Sequence, residues 1–414
     1  MAINNARESA AAIHRTIESV ARASYGRLVA YLCARTRDVA AAEDALADAL
    51  VTALTTWARD GIPRSPEAWL LTAARNRIID KARHERVRAD SAPTLELIAA
   101  ESADLAQSTA LPDDRLKLMF VCAHPAIDPD IHTPLMLQTV LGLDAAAIAR
   151  AFLVSPAAMS QRLVRAKTKI QRAGIAFEVP EEHELPQRLE AVLNAIYAAY
   201  GSGWEDAAGV DASARDLADE AIWLARVLLE RLPDEPEVRG LLALMLHCEA
   251  RRLARRADGR FVPLSEQDPT LWIGAMLEEA ERQLAAAAPA RRIGRFQLEA
   301  AIQSVHAERA RSGHTDWHAI ALFYEQLVRL WPALGALVGR AAAVAEVKDP
   351  QTALSLLDAI DPASVTSYQP YWAVRAHLLK RLHREPQAAA AFDRAIGLTE
   401  DAAVRDFLLE RRSE

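Results

Sequence analysis

The stretch from Trp69 to Arg88, WLLTAARNRIIDKARHERVR, gathers side chains that can grip phosphates and read base edges. Asn76, Asp80, Arg83, His84 and Val87 fall at helical spacing on one face, flanked by Arg75, Arg77, Lys81, Arg86 and Arg88. Only Asp80 and Glu85 oppose these cations. A short amide and an imidazole can hydrogen-bond to bases while guanidinium groups hold the backbone between them. On the other face Leu71, Ala74, Ile78 and Ala82, at steps of three and four, form a stripe that must be buried. Taken alone, such a helix is more often a solvated charged face than a nucleic-acid reader.

Two further stretches carry chemistry of the same kind. Asp144 is placed to cap a short helix, residues 153–155 make a tight turn, and Ser155-Pro156 is a capping pair for a second helix running to Arg172. That is helix-turn-helix spacing. In the second helix Met159, Leu163, Ala166 and Ile170 form the buried stripe, leaving Ser160, Gln161, Arg162, Arg165, Lys167, Lys169 and Arg172 to face outward. No acid occurs between Ser155 and Arg172, which favours major-groove binding over an ordinary helical hairpin. Upstream, a helix capped by Asp38 and running to Trp57 carries Glu43, Asp44 and Asp48 as a small exposed acidic patch. Residues 60–66, DGIPRSP, interrupt the helices, and Ser65-Pro66 starts the basic one.

The elements needed to position these residues are all helical. Hydrophobic residues make up 51% of the 414, glycines number 15, and alternating β-branched runs are nearly absent, so the expected fold class is all-α. The length suits two or three domains. Residues 1–90 form the first, residues 91–110 a small, polar, acidic linker, residues 111–175 the helix-turn-helix domain, and residues 181–414 an extension. Within the third segment helices are expected over residues 112–123 and 133–141, with HPAIDPDIH as the loop between them.

The net charge of -7 is unevenly spread: 22 Lys and Arg stand against 19 Asp and Glu up to Ile175, and 27 against 37 beyond it. A polyanion, if bound, belongs to the first part. Cys33, Cys122 and Cys248 sit far apart in apolar helical contexts and read as buried free thiols of a reducing compartment. With no signal pattern and no long apolar run, the chain is expected to be soluble and cytoplasmic, without membrane contact.

In the extension, helices align on a common pattern of small and large apolar residues. The anchors are Ala221, Ala225 and Leu228; Ile320, Tyr324 and Leu327; Ala353, Leu357 and Ile360; and Ala388, Phe392 and Ala395. The later spacings approach the period of tetratricopeptide (TPR) helix pairs, which predicts a degenerate helical-repeat array, with Trp372 and Ala376 on a preceding helix. Residues 251–264 interrupt it, and Asp258-Gly259 suggests a turn or minimal hairpin.

AEDALADALVTALTTW followed by SPEAWLLTAARNRIIDKARHERV resembles the second conserved region of sigma factors, and GLDAAAIARAFLVSPAAMSQRLVRAKTKI resembles their fourth. With only these two modules and a linker, the chain resembles an extracytoplasmic-function sigma factor of the sigma-70 family, in the subgroup with a C-terminal TPR-like extension. The resemblance implies that the chain binds core RNA polymerase, through the beta-prime clamp helices and the beta flap, and directs it to promoter DNA. Glu43, Asp44 and Asp48 would dock the clamp helices. Asn76, Arg77, Asp80, Arg83 and His84 would read and melt the minus-ten element, with the loop from Arg59 to Pro66 capturing a flipped base. Ser160, Gln161, Arg162, Arg165 and Lys169 would enter the major groove at the minus-35 element. The extension would regulate these modules in cis through an intramolecular contact. Two features depart from the family pattern. Ala47 and Asp48 stand where members often carry Gln and Glu. Near Tyr200-Gly201-Ser202-Gly203-Trp204 and at Ile273, amide or acidic groups of relatives are missing.

Rival readings are an enzyme, and a DNA-binding regulator or TPR-type interaction scaffold acting without polymerase. No Gly-rich phosphate loop, nucleophile elbow, HExxH or CxxC motif occurs, so no catalytic residue, cofactor or metal is expected. His314 and His318 share helical spacing, but no nearby acid or thiol completes a ligand set. Arg251, Arg252, Arg255, Arg256, Asp258, Glu266, Gln267 and Asp268 suit structural ion pairing better than a small-molecule pocket.

Overall fold

The computed structural model describes residues 2–86, 113–152, 154–181, 183–205 and 212–414. The expected linker, and Leu153 in the expected turn, lie outside them. Among the described residues the chain is all-α apart from one two-stranded hairpin, and no helix is long and apolar enough to cross a membrane. The chain divides into two compact units, the first comprising Met1–Gly203 and Ala212–Leu224, the second Trp204–Asp211 and Ala225–Glu414.

In the first unit α1 (Ala2–Thr36), α2 (Val39–Asp60) and α3 (Pro66–Arg86) pack on one another. Asp38 caps α2 by accepting the Ala41 N–H at 3.0 Å, and Gly61, at φ 87°, ends it. Then come α4 (Arg115–Cys122), α5 (Pro129–Thr139), α6 (Ala145–Ala151), α7 (Pro156–Ala173) and α8 (Leu185–Glu205). α5 begins earlier than the sequence pattern indicates, because Asp128 caps it and Pro129 occupies its first turn, inside the expected loop. The sequence boundary between the two units falls within α9 (Ala212–Arg231).

The helices on either side of residues 87–112 share one core. Contacts run from α1 to α4 and α5 and from α2 to α7. Leu28, Val29, Leu32, Leu118, Met119 and Phe120 are all buried. Burial, reinforced by neighbouring Cys122, pushes the Cys33 thiol well above its ordinary value; both cysteines are free. A Cβ at Gly26 would lie 1.7 Å from the Val140 carbonyl oxygen, so only glycine lets α1 come this close to the end of α5.

In the second unit, after the end of α9, α10 (Pro236–Glu249) packs on α11 (Gly274–Ala287) and α12 (Arg295–Ser312). Between α10 and α11, β1 (Arg256–Ala257) and β2 (Arg260–Phe261) pair antiparallel around Asp258 and Gly259, both at positive φ, as a hairpin turn of this length requires. The remaining helices are α13 (Trp317–Leu330), α14 (Leu334–Val347), α15 (Pro350–Asp358), α16 (Pro362–Val365), α17 (Gln369–Arg381), α18 (Glu385–Leu398) and α19 (Ala402–Ser413). Most contacts here join neighbours along the chain, as in a helical array. The repeat anchors Ile320, Leu327, Ala353, Leu357, Ala388, Phe392 and Ala395 are buried. α19 returns to the hairpin, where Phe407 meets Phe261 edge-on at 5.4 Å.

Candidate nucleic-acid interface

α3 is fixed at its start. Glu67 accepts hydrogen bonds from Ser24 and, at 2.5 Å, from Arg27, tying the first turn of α3 to α1. Trp69 meets Trp57 of α2 edge-on at 5.5 Å. Leu70, Leu71 and Ala74 seal the core, and Ile78 is half-buried. With that face inward, Asn76, Arg77 and Asp80 stand exposed on the other. Arg83 and His84 continue the same helix; their side chains lie outside the described residues, as does that of Ala82. Arg75, read from the sequence as a flanking exposed cation, is instead buried beside Ala74. It sits next to the buried stripe, between Ala74 and Asn76. The loop before α3 is exposed, with Arg59 held by Asp60 at 2.7 Å.

Both helices of the second expected segment are capped. Asp144 accepts the N–H groups of Ala146 and Ala147 at 2.8 and 2.7 Å, starting α6. Ser155 accepts the Ala158 N–H at 3.3 Å and Pro156 fills the first turn of α7, which ends at Gly174 in the left-handed region. Met159, Leu163, Ala166 and Ile170 are buried. Ser160, Gln161, Arg165, Lys169 and Arg172 are exposed and Arg162 is half-buried. Val164, which sequence reasoning passed over, stands 61% exposed among Gln161, Arg165 and Thr168 on this face.

Two expectations are corrected. Lys167 does not face outward: it is ion-paired with Glu43, and the two side chains are only 11% and 13% exposed. Glu43 is therefore not part of an exposed patch, although Asp44 and Asp48 are exposed. Burial pushes the Glu43 carboxyl above the usual range against the opposing pull of Lys167. The Tyr25 hydroxyl lies 3.5 Å from Glu43 Oε1, long for a hydrogen bond, and burial with the Glu43 charge raises the phenol further. One turn beyond Lys167, Gln171 Nε2 donates to Asp38 Oδ2 over 2.7 Å. Lys167 borders the buried stripe at one turn from Leu163, and that position is the signal in the sequence for its inward turn.

Other sequence candidates form no site. His314 precedes α13 while His318 lies within it, so they do not share a helix face, and no metal-binding cluster occurs among the described residues. The arginine-rich segment is structural. Arg252 pairs with Glu249 at 2.5 Å, Arg256 with Asp401, Arg260 with Glu410 at 2.6 Å, and Glu266 with Arg411. Arg251 donates to the His247 carbonyl at 3.1 Å and to Gln303. Ile273 donates its N–H to the Ala250 carbonyl at 3.0 Å, closing this segment onto α10. An open groove beside Leu354, Trp372 and Leu379 holds Arg375 and Arg384, the first engaged by Asp358 and the second by Gln351.

Residues 20–88, which hold α2, α3 and the exposed stripe, match the model of sigma-70 region 2, and residues 188–288 match a family of unknown function (DUF6596). The chain thus carries a segment similar to sigma-70 region 2. An uncharacterized protein of Rhizobium meliloti is 40% identical over 374 residues, covering 89% of this chain and 88% of its own length, and the chain belongs to one family with it. No solved structure matches.

Proposed function

We propose that this chain is an extracytoplasmic-function sigma factor that binds core RNA polymerase, directs it to a two-element promoter and stabilises melting at the minus-ten element. The observation that carries the reading is α3: within the sigma-70 region 2 match, one face closes the core while Asn76, Arg77 and Asp80 stand exposed for DNA. The capped pair α6 and α7 supports a second contact, with Ser160, Gln161 and Arg165 entering the major groove. Asp44 and Asp48, with Glu43, would dock the polymerase clamp helices. A regulator acting without polymerase would need only α6 and α7.

Co-purification with core polymerase and run-off transcription from a cognate promoter test the proposal. Binding and a discrete transcript are the expected results, and absence of polymerase binding sinks it. The same assay tests regulation in cis by the TPR-like extension, which is motivated by the acidity beyond Ile175 beside basic DNA-reading helices. A chain ended after Arg231, which keeps α9 whole, should differ in activity from the full chain. Equal activity removes the idea.

A further inference from the structure

α7 presents an exposed apolar side chain midway along its solvent face. Val164 is 61% exposed, three residues after exposed Gln161, next to exposed Arg165 and four residues before Thr168. We propose that Val164 reads the 5-methyl group of a thymine in the major groove, with Gln161 and Arg165 making polar contacts on either side of it. The inference deepens the reading of α7 as the helix that enters the minus-35 element, and it rests on that reading.

Three observations carry it. First, Val164 sits on the side of α7 turned away from the core. Met159, Leu163, Ala166 and Ile170 occupy the buried side, so Gln161, Val164 and Thr168, at helical steps of three and four, share the opposite one. A β-branched residue there leaves apolar surface in water and is a poorer helix former than lysine, glutamine or arginine. A single exposed valine is ordinary on a protein surface. What sets this one apart is its place between two side chains that can bond to base edges.

Second, the neighbours extend the same chemistry. Thr168 Oγ1 donates to the Val164 carbonyl at 2.9 Å, so that proton is held within the helix and the methyl is the group Thr168 offers a partner. The two residues lie about 6 Å apart along the helix at 1.5 Å per residue. No acid occurs from Ser155 to Arg172, so nothing in this stretch repels the phosphates that flank the groove.

Third, the groove selects one base. Valine neither donates nor accepts a hydrogen bond. Against the N4 of cytosine, the N6 of adenine or the O6 and N7 of guanine it strips water from a polar group and gives no bond in return. Thymine alone presents a methyl group there. Covering that methyl buries apolar surface on both partners, and the Gln161 amide can donate to the neighbouring O4.

The test uses the full chain with core polymerase and a random-sequence duplex pool, from which the bound duplexes give the upstream element. Each thymine of that element is then replaced by deoxyuridine, which removes the methyl group and nothing else. At one position this should weaken binding by about fourfold, the worth of one buried methyl. Val164→Ala should bind the thymine and deoxyuridine duplexes alike, while Arg165→Ala should keep the difference. An element without thymine, no position sensitive to the methyl, or a sensitivity that survives in Val164→Ala overturns the proposal and leaves the reading of α7 standing. Absence of any selected upstream element overturns that reading itself. Val164 is exposed and alanine is the better helix former, so the variant keeps its fold. Val164→Thr, which retains one methyl, should keep part of the difference.

Discussion

Arg165 and Asn76 occupy equivalent positions on two separate helices. Each stands exposed on a helix whose opposite face is sealed into the core, so each can be changed without cost to packing. Replacing Arg165 by Ala is expected to weaken promoter binding with relaxed discrimination at one base pair, a bidentate base contact being worth about 1–3 kcal/mol. A phosphate contact would instead lower the salt dependence uniformly across sequences. Replacing Asn76 and Arg83 together by Ala should abolish open-complex formation, read by permanganate reactivity of unpaired thymines, while leaving polymerase binding intact. Normal melting by that variant would remove α3 from the reading of the minus-ten element. These exposures were legible in the sequence because a helix with one buried stripe dictates which residues face away. Lys167 was not: its partner Glu43 lies 124 positions away, and local spacing carries no information about such a pair.

At the scale of elements, caps separate what the sequence reveals from what it hides. Asp38, Asp144 and Ser155 cap their own helices, and each was readable as a short polar residue before an apolar run. α12 has no side-chain cap of its own; Glu237 of α10 instead accepts the N–H groups of Phe296 and Gln297 at 3.0 and 3.1 Å. That cap arrives through tertiary packing, and no spacing within α12 announces it. The α10 and α12 pair also carries a pH dependence. Burial, with the positive charge of Arg251 nearby, pulls His247 and His306 down to about 4. Glu281 lies 3.3 Å from His247 Nε2 but is half exposed, and neither ring nitrogen makes a hydrogen bond, so burial prevails. Both rings are neutral in the folded unit. Below the ordinary histidine value near 6.5 the unfolded chain takes up protons that the folded one refuses, so stability falls as pH drops from about 6.5 to about 4. The slope is about 1.4 kcal/mol per pH unit for each histidine. Thermal melting at pH 7.5 and pH 5 should show this loss, and His247→Leu should flatten it. An unchanged slope in that variant would mean the ring is not held neutral.

At the scale of the whole molecule, the all-α class followed from composition, whereas the shared core of the first unit did not. Two modules with a segment between them read as separate bodies, since nothing in either stripe shows that α1 also serves α4 and α5. The return of α19 to the hairpin was equally hidden: Arg256 and Asp401 pair across 145 positions. Both closures join segments whose sequences look complete without the other.

Gly26 turns the first of these closures into something adjustable. Because a Cβ there would overlap the Val140 carbonyl, every added methyl group acts as a wedge of known size at a known point. Gly26→Ala and Gly26→Val should shift the first unit stepwise from compact to extended, read as a growing radius in small-angle scattering with helix content unchanged. A radius that does not respond to the series would mean the contact relaxes locally and the modules stay together. If the radius grows, one position serves as a steric dial on how closely α1 packs against the end of α5.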